Sequence, residues 1–222
     1  MFYVHETQFG KLELTTRPKW YLDDGEPVSD EFLAEENYFL VDPQYPQDID
    51  RRVFDVLEKP IEEWVKEGNI YTKTYTITEK PAEEFVAWEQ SNMHGRLDEL
   101  REMKLREGFA WEFNGETDYV QCGFQDIAAL TPLHVIAQEK VASGEGDSLM
   151  KLRSKSNKIH FIPATEMVAI TTQAFSYGEQ CYEETWAKKD QMDLIFTEVL
   201  AGGKSLEVAV VELDLILPAE GG

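Results

Sequence analysis

The sequence has little cysteine, no surplus of positive charge and no long hydrophobic run. Its two cysteines, Cys122 and Cys181, are too few for a paired CxxC zinc site or for a disulfide-rich scaffold. We therefore expect two buried free thiols, with a disulfide between them as the alternative. No stretch approaches the roughly 18 apolar residues of a membrane-spanning helix, and residues 1–6 lack the basic-then-apolar pattern of an export signal.

The charge of the chain excludes several classes of partner. Lys and Arg number 21 and Asp and Glu 43, which gives a net charge of −22 over 222 residues. Binding to nucleic-acid phosphates or to an anionic membrane surface needs an excess of cations, so we expect neither nucleic acid nor membrane insertion. Hydrophobic residues make up 42% of the chain and aromatics 12%, which is enough for a sizeable core and rules out wholesale disorder.

The pattern along the chain predicts an α+β protein in three parts. Residues 1–80 are expected to form a small, loop-rich β module that serves attachment. Residues 81–202 are expected to form a helical domain with a β-hairpin over residues 109–121. Residues 203–222 are expected to form a C-terminal strand segment.

The predicted β module has short alternating segments at residues 2–4, 11–15 and 71–77. Turn-rich, acidic stretches at residues 23–27 and 42–46 separate them, because Pro and Gly interrupt regular structure. Pro60 suits a first helical turn, which predicts a short helix over residues 60–66.

The predicted helical domain starts with a helix from Pro81 to Arg106 that Gly95 weakens and Gly108 caps. Asn114-Gly115 between alternating segments predicts a hairpin with a type I′ turn. A helix is expected over residues 126–142, with a start closer to Pro132 as the alternative, and a loop over 143–148. Residues 159–162 are expected to form a short strand or an extended lead-in to a long helix that Thr165 caps and that ends at residues 202–203.

The C-terminal tail alternates apolar and polar residues from 206 to 217, with a change of phase at Val210-Val211. This alternation predicts a strand with a bulge or two short strands. Such a strand needs a partner, either in the N-terminal β module or in a neighbouring subunit.

No motif in the sequence predicts catalysis, a metal site or a cofactor. Residues 202–205 resemble the end of a phosphate-binding loop, but Glu198 stands where that loop needs Gly, and a strand is expected to follow. The acidic turns at residues 23–26 and 144–148 lack the ligand pattern of an EF-hand, and no element suggests a nucleophile. The four histidines have no ligand spacing, and His134 fits a core role; the set is His5, His94, His134 and His160.

Exposed aromatic and apolar side chains are the candidate interface residues, since Tyr and Trp dominate binding hot spots. The alternative is that the aromatics only cap the β module. The predicted interface consists of Trp20, Tyr21, Tyr38, Phe39 and Tyr45 in the β module and Leu213 and Leu215 in the tail.

Several short motifs between about residues 96 and 192 occur in a characteristic order. They are residues 105–109, Asn114-Gly115 with Thr117-Asp118, residues 124–127, residues 159–161 with Glu166, and Tyr182 with Trp186 and Lys189-Asp190. This order resembles a domain of unknown function found in proteins of tailed bacteriophages, typically encoded near tail-fibre genes. The Tyr-, Pro- and acid-rich segment before it resembles the N-terminal parts of tail-fibre and tail-fibre-assembly proteins.

The resemblance implies a non-enzymatic structural subunit of a phage tail, at the baseplate or associated with the fibres. It implies contacts with other tail proteins, an oligomer or larger assembly, a role in host attachment, and a location in the virion after synthesis in the bacterial cytoplasm. One alternative is a tail-fibre assembly chaperone that is absent from the finished particle. Another is an acidic host-takeover protein that mimics nucleic acid, and a third is a glycan hydrolase that uses two carboxylates.

Overall fold

The computed structural model describes residues 1–20 and 26–217 and divides the chain into two compact units, Met1–Phe85 and Val86–Gly222. The first unit is rich in strands, and the second is built mainly of helices with two β-hairpins. The α+β class predicted from the sequence is confirmed.

The first unit contains a mixed five-stranded sheet. Its elements in chain order are β1 (Phe2–Glu6), β2 (Leu12–Thr16), α1 (Asp30–Glu35), β3 (Tyr38–Asp42), β4 (Phe54–Glu58), β5 (Val65–Glu67), β6 (Ile70–Thr72) and β7 (Tyr75–Glu79). The strand order in the sheet is β2-β1-β3-β6-β5, with β3 and β6 parallel and the other neighbours antiparallel. Strands β4 and β7 form a separate antiparallel pair.

Two small apolar clusters hold this unit together. Alternation along β1 sends Tyr3 into a cluster with Val28 and Leu33, and Val4 into a cluster with Phe39 and Trp64. Helix α1 begins at Asp30 because the Ser29 hydroxyl accepts a hydrogen bond from the Phe32 amide.

The short helix predicted around residues 60–66 is correct in place but wrong in length and type. The chain makes only a 3₁₀ turn, Ile61–Glu63, and then enters β5. The side chain of Trp64 explains the early end, because it is buried in the core and its indole N–H donates to the carbonyl of Lys59 at 2.9 Å. Core packing of one aromatic residue thus outweighs the helix signal of Pro60.

The second unit follows the order helix, hairpin, helix, hairpin, helix, helix. Its elements are α2 (Ala82–Glu107, which begins in the first unit), β8 (Phe109–Phe113), β9 (Glu116–Val120), α3 (Phe124–Ala142), β10 (Leu149–Arg153), β11 (Ile159–Pro163), α4 (Ala164–Leu200) and α5 (Leu206–Ile216). Helix α3 packs along α4, and both hairpins contribute to the same core.

The hairpin predicted at residues 109–121 is confirmed as β8 and β9. Asn114 and Gly115 have φ angles of 52° and 88°, the two positive values that a type I′ turn requires. Phe113 and Val120 point into the core, which fixes the register of the pair.

Helix α2 runs without a break through Gly95 and ends at Gly108, whose φ is +72°, so the predicted cap is confirmed. Helix α3 starts eight residues before Pro132, at a cap where the Asp126 carboxylate accepts from the Gly123 amide at 3.1 Å. Helix α4 starts directly after Pro163, one residue before the predicted cap Thr165, and extends over 37 residues.

The predicted C-terminal strand is wrong, because residues 206–216 form helix α5. The Ser205 hydroxyl caps the helix by accepting from the Val208 amide. Its buried residues recur at helical spacing and pack against the C-terminal end of α4; they are Leu206, Ala209, Val210 and Leu213. The tail therefore belongs to the second unit and adds no strand to the N-terminal sheet.

Candidate protein-interaction surfaces

The predicted interface aromatics of the first unit do not form one patch. The ring of Tyr38 stacks on His5 with centroids 4.2 Å apart, and the exposed Trp20 meets Tyr38 edge-on at 5.3 Å. Tyr45 is exposed in a different place, where it stacks on Tyr75 at 5.3 Å. Tyr21 lies outside the described residues.

Phe39 and Leu213 are buried in the chain's own core, so the prediction that they line an interface is wrong for both. Phe39 packs in the sheet core, with the Lys66 ammonium 3.5 Å from its ring centroid. Leu213 faces α4 because α5 is a helix and not a strand. Leu215, two residues further on, is 80% exposed and keeps its place among the candidates.

A polar network joins the two hairpins of the second unit. Asp118 of β9 accepts hydrogen bonds from the hydroxyls of Ser154 and Ser156 and, at 2.7 Å, from the Tyr119 amide. His160 Nε2 lies 3.1 Å from the Ser154 hydroxyl oxygen, and its ring stacks on Phe113 at 3.9 Å. Most of this network is buried.

The network contains Ser, His and Asp but does not form an activated nucleophile. Ser154 gives its only hydroxyl proton to Asp118, so the His160 nitrogen next to it acts as donor and not as base. The hydrogen bonds from Ser154 and Ser156 lower the pKa of Asp118 and keep it ionised. The arrangement ties the turn after β10 to strand β9.

His134 and the two thiols have structural surroundings. His134 is half-buried and its Nδ1 lies 2.7 Å from the Thr171 hydroxyl, as a core histidine should. Among the described residues, no group of three or more His, Cys, Asp or Glu side chains could hold a metal ion. Cys122 and Cys181 are free and buried, and burial raises the pKa of Cys122 to about 12.

Lys204, the cation of the sequence that resembles a phosphate-binding loop, is held by two carboxylates. It lies 2.8 Å from Glu198 and also contacts Glu212. A helix follows this segment, contrary to the sequence prediction, but Glu198 occupies the position of the required Gly within α4. Lys204 thus links α4 to α5 and is not available to a phosphate.

One face of the hairpin β10–β11 is exposed and carries both cations and apolar side chains; we call it the cationic ribbon. On β10 it presents Lys151 and Arg153, opposite Phe161 and Ile159 of β11. Its apolar members are strongly exposed: Leu149 by 66%, Ile159 by 51% and Phe161 by 52%. Among the described residues, neither Lys151 nor Arg153 makes an ion pair, and the Lys151 ammonium lies 5.6 Å from the Phe161 ring.

The exposed side of α5 is a second unusual surface, which we call the apolar stripe. It consists of Val208, Val211 and Leu215, which are exposed by 49%, 62% and 80%. These residues lie on the side of α5 opposite its buried residues, so the helix is apolar on both faces. No part of the described chain covers the stripe.

Sequence reasoning missed the cationic ribbon, although a signal for it was present. The 18 residues from Ser148 to Thr165 contain no acid, the longest such interval in the chain, and include four of its 21 Lys and Arg residues. In a chain with a charge of −22, such an interval marks a local positive surface. The apolar stripe was concealed because the tail was interpreted as a strand.

Comparison of the chain with protein-family models, curated proteins and solved structures gives no match. No helix among the described residues combines the length and the apolar character that crossing a membrane requires.

Proposed function

We propose that this chain is a structural subunit of a bacteriophage tail, at the baseplate or associated with the tail fibres. It acts through protein–protein contacts and has no catalytic role. Its place is in the virion, and it is made in the cytoplasm of the bacterial host.

The observation that carries this proposal is the apolar stripe. A helix on the surface of a folded unit normally turns a polar face to water, whereas α5 exposes Val208, Val211 and Leu215 side by side. Full burial of one such side chain is worth about 1.5–3 kcal/mol, so a partner that covers the stripe gains a substantial binding energy.

The cationic ribbon supports the same function. It offers exposed Phe161 and Ile159 next to two cations without ion-pair partners among the described residues, a composition suited to binding a protein surface. The order of motifs between about residues 96 and 192, which resembles a phage tail domain, is our reason for proposing a phage tail as the assembly.

Fractionation of phage particles tests the proposal. Particles made from the phage genome that carries this chain are purified on a density gradient, and the chain is detected by antibody in particle and free fractions. We expect it in the particles, and we expect the variant Val211→Gln/Leu215→Gln to shift to the free fractions. The matched control Val135→Gln/Val141→Gln, two exposed apolar positions on α3, should stay with the particles.

Abundance in the lysate together with absence from particles would contradict a structural role. That result would favour the assembly chaperone, which leaves before the particle is complete.

A further inference from the structure

We propose that the cationic ribbon of one copy of this chain binds the apolar stripe of a second copy, so that the copies associate head to tail. The proposal rests on the proposed role in a tail assembly and names one partner within it.

The two surfaces complement each other in charge. At about 100° per residue, Val208, Val211 and Leu215 fall within about 60° of the α5 circumference. Glu207 lies about 40° beyond one edge of the stripe and Glu212 about 40° beyond the other. Glu212 also contacts Lys204, but with Glu198 and Asp214 nearby in sequence the region keeps a net negative charge. An apolar surface between carboxylates thus faces an apolar row beside Lys151 and Arg153.

The two surfaces also match in length. Helix α5 has 11 residues and is about 16 Å long, whereas each five-residue strand of the ribbon extends over about 17 Å. A helix laid along the ribbon therefore contacts it from end to end and leaves neither apolar row uncovered.

The position of the two surfaces along α4 requires that the contact be between copies. The buried face of the ribbon packs into a core that includes Ala164 to Cys181 in the N-terminal half of α4. Helix α5 follows the C-terminal end of α4 and reaches back over about 16 Å of its roughly 55 Å length. One copy therefore cannot place its own stripe on its own ribbon.

Two different surfaces in contact form a heterologous interface, which produces rings when the rotation closes and filaments when it does not. Either outcome suits a repeating part of a tail. The contact is smaller than the roughly 800 Å² per partner of a stable pair, so we expect the affinity between two copies to be low. The fraction of associated protein should therefore rise only at high concentration.

Mixing two variants of the full chain, each with one damaged surface, tests the proposal by sedimentation velocity. The ribbon variant is Lys151→Glu/Arg153→Glu, and the stripe variant is Val211→Gln/Leu215→Gln. We expect wild-type protein to associate as its concentration rises to roughly 0.5 mM at low salt. Each variant alone should lose at least tenfold in association constant, while an equimolar mixture should form 1:1 heterodimers and no larger species.

The heterodimer is the decisive species, because the ribbon variant retains a functional stripe and the stripe variant a functional ribbon. Matched controls are Lys11→Glu/Lys19→Glu, with the same change in charge, and Val135→Gln/Val141→Gln, with a similar replacement of exposed apolar side chains on α3; both should associate like wild type. Circular dichroism verifies that every variant is folded. A monomeric wild type, variants that associate like wild type, controls that lose association equally, or a mixture without heterodimers would each overturn the proposal.

The outcomes for the two proposals are distinguishable. A chain that is present in particles but monomeric in solution overturns head-to-tail binding and leaves the tail function intact. A chain that associates in solution but is absent from particles overturns the tail function alone.

Discussion

Asp118 is the residue that joins the two hairpins of the second unit. It accepts from Ser154 and Ser156 in the turn between β10 and β11, and this turn lies at the end of the cationic ribbon. A charged acceptor with three donors holds the turn more firmly than neutral hydrogen bonds would. Asp118 thus adds a charged anchor for the turn of the ribbon to the core packing of its buried face.

The ionisation of Asp118 gives stability a specific pH dependence. Its pKa in the folded state is depressed below the ordinary value of 3.8, so the stabilisation is fully present above that value and is lost as the pH falls towards the lowered pKa. We expect Asp118→Ala to destabilise the protein at pH 7 and the difference from wild type to narrow below about pH 4. Urea unfolding between pH 3 and pH 7 measures this difference in the free energy of unfolding. Asp147→Ala, in the exposed loop after α3, is the matched control, and a difference independent of pH would contradict the assignment.

Alanine substitution at Gly108 and at Gly95 is expected to change the free energy of unfolding in opposite directions. A Cβ at Gly108 would lie 2.0 Å from the Val120 carbonyl oxygen at a φ of +72°, so Gly108→Ala should cost more than about 1 kcal/mol. Gly95 lies inside α2 with nothing within 4 Å, so Gly95→Ala should stabilise by about 0.5–1 kcal/mol. Chemical denaturation of both variants measures the two changes. Equal changes in the free energy of unfolding would contradict the assignment of Gly108 as the C-terminal cap of α2.

The two thiols are expected to react slowly in the folded protein. Burial raises the pKa of Cys122 to about 12 and also raises the pKa of Cys181, so little thiolate exists at pH 8. Labelling with a thiol reagent at pH 8 should be slow in buffer and should reach two equivalents rapidly in denaturant. Fast labelling of the native chain would show that the core around Cys122 is open.

For single residues, the sequence correctly predicted the Gly108 cap, the buried state of the cysteines and the core role of His134. It placed Phe39 and Leu213 on an interface because aromatic or apolar character alone does not tell which face of an element is covered. Asp118 meets Ser154, Ser156 and His160 where one hairpin packs against the other, a contact between separate sheets that no local spacing reveals.

Helix α5 shows how two periodicities can compete in one segment. Alternation along residues 206–217 predicts a strand, yet Leu206, Ala209, Val210 and Leu213 also recur at helical spacing. The Ser205 cap and the buried end of α4 favour the helix. The sequence still alternates between apolar and polar residues because α5 carries a second apolar row, the exposed stripe, in addition to its buried row.

Alanine substitution at two leucines of α5 distinguishes a helix from a strand. In a strand Leu213 and Leu215 would share one face and respond alike. In the helix, Leu213→Ala should cost about 2–5 kcal/mol, because it removes a buried side chain, whereas Leu215→Ala should change the free energy of unfolding by less than about 0.5 kcal/mol. Urea unfolding gives both values, and similar losses at the two positions would contradict the helix.

The elements with strong local signals were predicted well. Hairpin β8–β9 has the Asn-Gly turn, and α4 has a long apolar row. Strand β10 was missed because its Leu, Met, Lys and Arg residues have little preference for strands. Strands β3 and β4 were missed because pairing with distant partners decides their structure.

The whole molecule combines a net charge of −22 with one region of opposite sign. The total charge argues against nucleic-acid phosphates as partners, but it conceals the acid-free interval that contains the ribbon. Distribution of charge, and not its sum, is what suits this chain to bind another copy of itself. The ribbon precedes α4 and the stripe follows it, so the 37-residue length of this helix is what separates the two surfaces.

Absolute quantification of the chain in purified phage particles tests the structural role most directly. Isotope-labelled peptides from both units provide the copy number by mass spectrometry, with the major capsid protein as the internal standard. We expect a fixed copy number per particle, a small multiple of three or six, that does not fall on repeated purification. A variable number that declines towards zero with each gradient, while the lysate remains rich in the chain, would contradict it.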